Sequence, residues 1–168
     1  LWEIVMPSEA QSGTINTGLK INNSVLIVSA PFYKEITNCL KEGAISILNK
    51  FDLEYEELQV PGALEIPTAI SILGNQFCGF IALGCVIRGE TTHYDTVCQN
   101  SSRALTNLGL KGFCIGNGIL NVENYDQAII RSNPNGKDFG GNAAKAAIAL
   151  LRIKQGEIIT TIDVNKSE

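Results

Sequence analysis

The chain carries one histidine, His93, inside the stretch RGETTHYD (88–95), directly after the long apolar run FCGFIALGCVI (77–87). Gly89, Thr91 and Thr92 stand just ahead of it. A glycine-containing turn that runs into a helix leaves N–H groups pointing outward, a ready anion site, and the two hydroxyls add donors. A phosphate fits such a place; so does an ordinary helix cap with no ligand. His93 would lie in the first turn of that helix. The positive end of a helix favours neutral imidazole, whereas a bound phosphate dianion favours the protonated ring. A group drawn both ways near neutral pH can shuttle a proton; an idle surface histidine is the alternative.

Three further stretches hold candidate groups. In VPGALEIP (60–67) Pro and Gly shape a tight turn, and Glu65 is the lone charge of an apolar segment. Glu65 could accept hydrogen bonds from a polyhydroxylated ligand, or simply favour the first turn of a helix electrostatically. Phe32, next to Pro31, could stack on a planar ring or plug the core. Arg131 reads as the last turn of a helix, where a cation is welcome in any case. Other chemistries are missing their residues. GNGILN (116–121) lacks the third glycine of a dinucleotide fingerprint, and NGKD (135–138) lacks the hydroxyl residue and spacing of a phosphate-binding loop. There is no G-x-S-x-G elbow. His93 and Asp95 are two residues apart on a helix and face different ways, so they form no dyad. One imidazole and unclustered thiols give a metal nothing to bind.

The elements that must position these residues follow from apolar spacing. SVLIVSA (24–30), FCGFIALGCVI (77–87) and GFCIGNGIL (112–120) are continuous apolar runs of the kind found in strands covered on both faces, while DLEYEELQV (52–60) reads as a weaker edge strand. Residues 33–50 place Ile36, Leu40, Ala44, Ile47 and Leu48 at helical spacing. PGALEIPTAISIL is helical after Gly62, with Pro67 tolerated in the first turn. Thr92 caps a helix through Leu108, with Asp95 as a short variant of the capping box. VENYDQAIIRS (122–132) and NAAKAAIALLRIK (142–154) are two more helices, separated by a turn at Pro134–Gly136. The predicted order is β-α-β-α-β-α-β-α-α: an α/β three-layer sandwich with a four-stranded parallel sheet in flavodoxin-like order. Ligands of such sheets sit beyond the carboxyl ends of the strands, here Pro31–Tyr33, Pro61–Glu65, Cys85–His93 and Asn117–Asn121.

At 168 residues the chain is one domain, with an extended N-terminal arm over 1–18, a single α/β domain over 19–156 and a frayed tail over 157–168. It opens on Leu1 and not on Met, which reads as a processed or trimmed end. A formal charge of -4 argues against nucleic acid as a partner. No apolar stretch approaches the length of a membrane span. Five cysteines without a C-x-x-C pair suit a reducing cytoplasm. Charged residues make up 18% of the chain against a usual quarter, a hint of subunit contacts.

VPGALEIP, GCVIRGETTHYD and NGILNVENYDQAIIRS, in that order and spacing, resemble the lumazine synthase family, over about Leu19 to Leu151. The resemblance implies a riboflavin-pathway transferase. Its substrates are 5-amino-6-ribitylaminouracil and 3,4-dihydroxy-2-butanone 4-phosphate, and its products are 6,7-dimethyl-8-ribityllumazine, phosphate and water. No metal or organic cofactor is implied. By resemblance Phe32 stacks on the pyrimidine, Ala63, Leu64 and Glu65 line the ribityl and ring pocket, and Cys85, Val86 and Ile87 supply contacts to the uracil edge. Glu90, Thr91 and Arg131 hold the phosphate, and His93 is the general acid/base. The family assembles as pentamers or multiples of them, with sites between subunits. One chain then offers Phe32, Glu65 and His93, and its neighbour Asn117 and Arg131. The arm would add a strand to a neighbouring sheet edge, and riboflavin synthase is a candidate partner. Two positions depart from the pattern: Asn117 stands where many members have an aromatic residue, and Phe139 where the family has a lysine near the phosphate, with Lys137 two residues earlier. The competing readings are a Cys–His hydrolase using Cys85 or Cys98 with His93, and a flavin- or lumazine-binding or shell-forming homologue with weak or no turnover.

Overall fold

The computed structural model describes residues 22–156; the expected arm over 1–18 and tail over 157–168 lie outside them. The elements run β1 (Asn22–Ser29), α1 (Lys34–Lys50), β2 (Tyr55–Gln59), α2 (Glu65–Leu73), β3 (Phe77–Ile87), α3 (His93–Leu110), β4 (Ile115–Val122), α4 (Tyr125–Ser132) and α5 (Phe139–Lys154). All four strands are parallel, in the order β2-β1-β3-β4. That is the flavodoxin-like order expected from the sequence.

Alternation along the two central strands makes the three layers. Val25 and Ile27 of β1 and Ile81, Leu83 and Cys85 of β3 face α1, α4 and α5, which bury Leu40, Ala128 and Ala147 among them. Leu26 and Val28 of β1 and Phe80 and Ala82 of β3 face α2 and α3, against Ile66, Ile70, Leu105 and Leu108. Both faces are apolar because both are covered, which is why these strands read as unbroken apolar runs. The α1–α5–β4 layer is drawn tight by small residues. A side chain at Gly140 would overlap the Leu40 carbonyl, and one at Gly116 the carbonyl of Ala143.

Several boundaries differ from the sequence reading. β4 is 115–122 and not 112–120, because Lys111 and Gly112, the latter with φ +93°, turn the chain out of α3 first. α4 begins at Tyr125 because Asn124 caps it through the Gln127 N–H at 2.9 Å. α5 begins at Phe139, where Asp138 caps the Gly141 N–H at 3.0 Å. Thr92 gives α3 no side-chain cap, and Asp95 turns to Arg88 at 3.3 Å.

Register builds a step into the carboxyl edge of the sheet. β1 makes its last pairing at Ser29 with Leu83, and Ala30 N–H closes the ladder on the Leu83 carbonyl at 2.9 Å. β3 continues to Ile87, still paired with β4 at Val122. Four residues at about 3.3 Å each lift β3 and β4 roughly 13 Å above the end of β1.

Candidate active site

The step exposes main-chain groups in a defined direction. A residue of a parallel strand sends its N–H and C=O to one side, and successive residues alternate. Leu83 bonds towards β1, and Arg88 N–H bonds towards β4, on the Val122 carbonyl at 2.9 Å. By this alternation the main-chain groups of Cys85 and Ile87 face the place that β1 has vacated, while those of Val86 face β4. An edge of amides and carbonyls with no strand beside it suits a planar ligand with its own donors and acceptors.

Two turns border that edge. After β1, Pro31–Tyr33 carries Phe32, which packs edge-on against Tyr33 at 5.0 Å. Tyr33 in turn meets Tyr125 at 6.3 Å, and the Tyr125 hydroxyl donates to Glu35 Oε2 at 2.7 Å. That donation raises the Tyr125 pKa and keeps the hydroxyl protonated. The chain of contacts fixes the turn yet leaves Phe32 76% exposed, so Phe32 does not plug the core. After β2, Val60 N–H bonds to the Ser29 carbonyl at 2.9 Å and brings Pro61–Glu65 beside the same turn. Ala63 is buried, Leu64 is partly uncovered, and Glu65 heads α2 with its carboxylate folded over Gly62. Among the described residues Phe32 is left largely uncovered and Leu64 partly so.

After β3 comes the turn that holds the histidine. Glu90, Thr91 and His93 are all exposed, and the Thr91 hydroxyl accepts from His93 N–H at 3.3 Å. Among the described residues the ring nitrogens of His93 take no hydrogen-bond partner. Glu90 could approach a phosphate through its N–H alone, because its carboxylate repels an anion. Burial pushes the Cys85 thiol up to about 11, and burial raises Cys98 too. Cys98 shares a hydrogen bond with Tyr94. Protonated thiols without an imidazole partner lack what a Cys–His hydrolase needs.

Asn117 and Arg131 do not join this group. Asn117 pairs with Ala82, five residues before Ile87, on the exposed edge strand, and its Oδ1 accepts from Ile119 N–H at 3.0 Å. Arg131 lies in the last turn of α4, with Nη1 on the Gln127 carbonyl at 3.2 Å. Lys137 is exposed two residues before Phe139, which opens α5. Two hollows of about 470 and 500 Å³ lie at the opposite end of the sheet, around Ser24, Asp52–Tyr55 and Arg152, far from the histidine.

The sequence reading passed over Arg88, although it opens the histidine stretch. Its guanidinium reaches Glu123 at 2.7 Å and Asp95 at 3.3 Å, and lies 4.2 Å from the centre of the Tyr94 ring. The local signal was a cation at a strand end with an aromatic and an acid six and seven residues on; Glu123 is 35 residues away.

A flavodoxin-like sheet with exposed polar and aromatic groups beyond its carboxyl ends defines the class: an α/β protein built to take small molecules there. Residues 22–155 match the family model described as 6,7-dimethyl-8-ribityllumazine synthase. A protein of that name from Jannaschia sp. (strain CCS1) is 50% identical over 131 residues, covering 77% of this chain and 74% of the relative. Those from Bartonella tribocorum and Sphingopyxis alaskensis are each 47% identical, covering 78% of this chain and 89% and 94% of theirs. The chain belongs to the 6,7-dimethyl-8-ribityllumazine synthase family, transferases of riboflavin biosynthesis. Among its described residues no helix is long and apolar enough to cross a membrane.

Proposed function

We propose that this chain condenses 5-amino-6-ribitylaminouracil with 3,4-dihydroxy-2-butanone 4-phosphate to 6,7-dimethyl-8-ribityllumazine, releasing one phosphate and two waters. The observation that carries the reading is the stepped edge of β3. Cys85 and Ile87 offer main-chain groups beside Phe32, as recognition of a uracil edge under a stacked ring requires. Ala63, Leu64 and Glu65 flank it on the α2 side, where Glu65 would bind ribityl hydroxyls. Thr91, the Glu90 N–H and the open start of α3 suit the phosphate, with Arg131 as the cation.

Imine formation between the aromatic amine and the ketone expels water through proton transfers. Elimination of phosphate takes a proton from carbon, and ring closure on the second carbonyl expels the second water. A positioned imidazole contributes roughly a hundred- to ten-thousandfold to such transfers. His93, exposed and with ring nitrogens that take no hydrogen bond among the described residues, suits that role. Holding both substrates in one site removes much of the entropic barrier to condensation.

The site is completed, on this reading, by a second subunit. Phe32 is largely and Leu64 partly uncovered, while Asn117 and Arg131 sit on β4 and α4; in the pentamer, or multiple of it, that the family resemblance implies, one chain's Phe32, Glu65 and His93 would meet its neighbour's Asn117 and Arg131. Five free thiols suit the cytoplasm. Mixing the purified protein with both substrates and following the absorbance and fluorescence of the lumazine is the test. Product formation above the spontaneous rate is expected; a rate equal to the spontaneous one, with the pyrimidine still bound, would leave a binding or shell-forming protein.

A further inference from the structure

We propose that Arg88 is a positioning residue for this condensation, holding the first turn of α3, and so His93, in register with the end of β4. The inference rests on the acid/base reading of His93. Arg88 is itself fixed at both ends. Its N–H closes the β3–β4 ladder on the Val122 carbonyl at 2.9 Å. Its Nε donates to Glu123 Oε2 at 2.7 Å and its Nη1 to Asp95 Oδ1 at 3.3 Å, while its guanidinium carbon lies over the Tyr94 ring, 4.2 Å from the ring centre. Tyr94 and Asp95 follow His93 directly, so the guanidinium grips the two residues beside the imidazole.

The other polar bonds of that turn are local. Thr92 gives no side-chain cap, Thr91 bonds the His93 N–H, and Tyr94 bonds Cys98 one turn along the same helix. Arg88 is the side-chain polar link from His93's turn to another element among the described residues. Glu123 is in turn set by the start of α4: its N–H donates to Gln127 Oε1 at 3.0 Å, and Asn124 caps Gln127 N–H. The Gln127 carbonyl receives Arg131. One run of contacts thus leads from the turn of His93 to that of Arg131.

Arginine is the residue this job requires. A planar fork gives two directed donors and a face for the ring, whereas an ammonium offers a point charge. The ion pairs are each about half exposed at their acids, so they add little stability; orientation is what they supply.

The test compares Arg88→Gln, Arg88→Lys, His93→Ala and the double variant Arg88→Gln/His93→Ala in the assembled enzyme. Arg88→Gln is expected to lower kcat about fivefold or more with the KM for the pyrimidine within about twofold, and Arg88→Lys to recover part of it. On the His93→Ala background the same substitution should change kcat by less than about twofold, because there is no imidazole left to position. The protein's single histidine, labelled with carbon-13, should show a moved ring resonance in Arg88→Gln. A full kcat in Arg88→Gln, or an equal loss with and without His93, would overturn the proposal. If His93→Ala itself keeps full kcat, the acid/base reading fails and takes this one with it; an impaired His93→Ala beside an unimpaired Arg88→Gln removes Arg88 alone. Should Arg88→Gln not assemble, Asp95→Asn and Glu123→Gln each delete one anchor and are read in the same way.

Discussion

His93 is exposed, its ring takes no hydrogen bond among the described residues, and it is set on the first turn of a helix; that setting fixes what its removal should do. His93→Ala should fold, bind the pyrimidine and turn over more slowly by about tenfold or more, since a general acid/base contributes to the transition state and little to binding. Unchanged steady-state kcat would remove the role. Arg131→Ala should instead raise the KM for the butanone phosphate, roughly ten- to over a hundredfold for a lost charge-assisted contact of about 1.5–3 kcal/mol. An equal rise for the pyrimidine would make Arg131 an organiser of the pocket. Phe139→Lys is its companion: tighter binding of the phosphate substrate means that the family's lysine is missed here, and no change means that Lys137 already serves. Cys85 makes a prediction about pH. Burial lifts its pKa from 9.0 to about 11, so the unfolded chain gives up this proton first. The stability present below pH 9 is lost as pH rises to about 11, at most about 3 kcal/mol at roughly 1.4 kcal/mol per pKa unit. Urea unfolding at pH 8 and 10.5 should show a smaller alkaline loss in Cys85→Ala; an equal loss would assign the effect to other groups. The histidine turn was legible because glycine, hydroxyls and imidazole are contiguous after an apolar run. Arg88 was not, because Glu123 meets it through tertiary pairing of β3 with β4.

Elements were legible where apolar spacing set them and misplaced where capping did. β1, β3 and α1 follow from spacing alone. The start of α5 does not: an apolar pattern begins at Ala143, but Asp138, in a left-handed conformation at φ +43°, caps the Gly141 N–H and starts the helix at Phe139. Asp138→Ala should lose about 0.5–2 kcal/mol, the usual cost of deleting an N-cap, whereas Asp138→Asn should be nearly neutral because asparagine keeps the acceptor and tolerates that conformation. Equal losses by thermal unfolding would point to the charge in place of the cap. Gly140 carries a sharper consequence. It lies where α5 crosses α1, and a methyl group there would strike the Leu40 carbonyl. The sequence shows only a glycine pair before an alanine-rich helix; nothing local says that a neighbouring helix lies against it. Gly140→Ala should cost about 1–3 kcal/mol by overpacking, although alanine favours a helix interior. A gain in stability would mean that the two helices can part without penalty.

Taken whole, residues 22–156 form one three-layer fold and, on the proposed reading, supply half of each site. The sheet is covered on both faces, and its stepped edge leaves the main-chain groups of Cys85 and Ile87 open, with Phe32 in the turn after β1 and His93 at the start of α3. What the fold leaves open is an aromatic ring at 76% exposure and a half-covered Leu64, with an asparagine and an arginine carried on β4 and α4 and the histidine on α3. Sequence motifs reveal such a division poorly, since contiguous spacing does not say which chain a residue serves. A shared site predicts rescue between defective subunits. His93→Ala and Arg131→Ala chains, each weak alone, are unfolded together and refolded into mixed rings. At some subunit boundaries an intact His93 then meets an intact Arg131 from the neighbour, and lumazine formation should exceed the sum of the two separate variants. The statistics are simple: in an equal mixture about a quarter of boundaries pair the two intact residues, so recovery approaching a quarter of wild-type activity is expected. Recovery no greater than the sum, in oligomers shown by mass to be mixed, would place His93 and Arg131 in one chain's site and defeat the shared-site model.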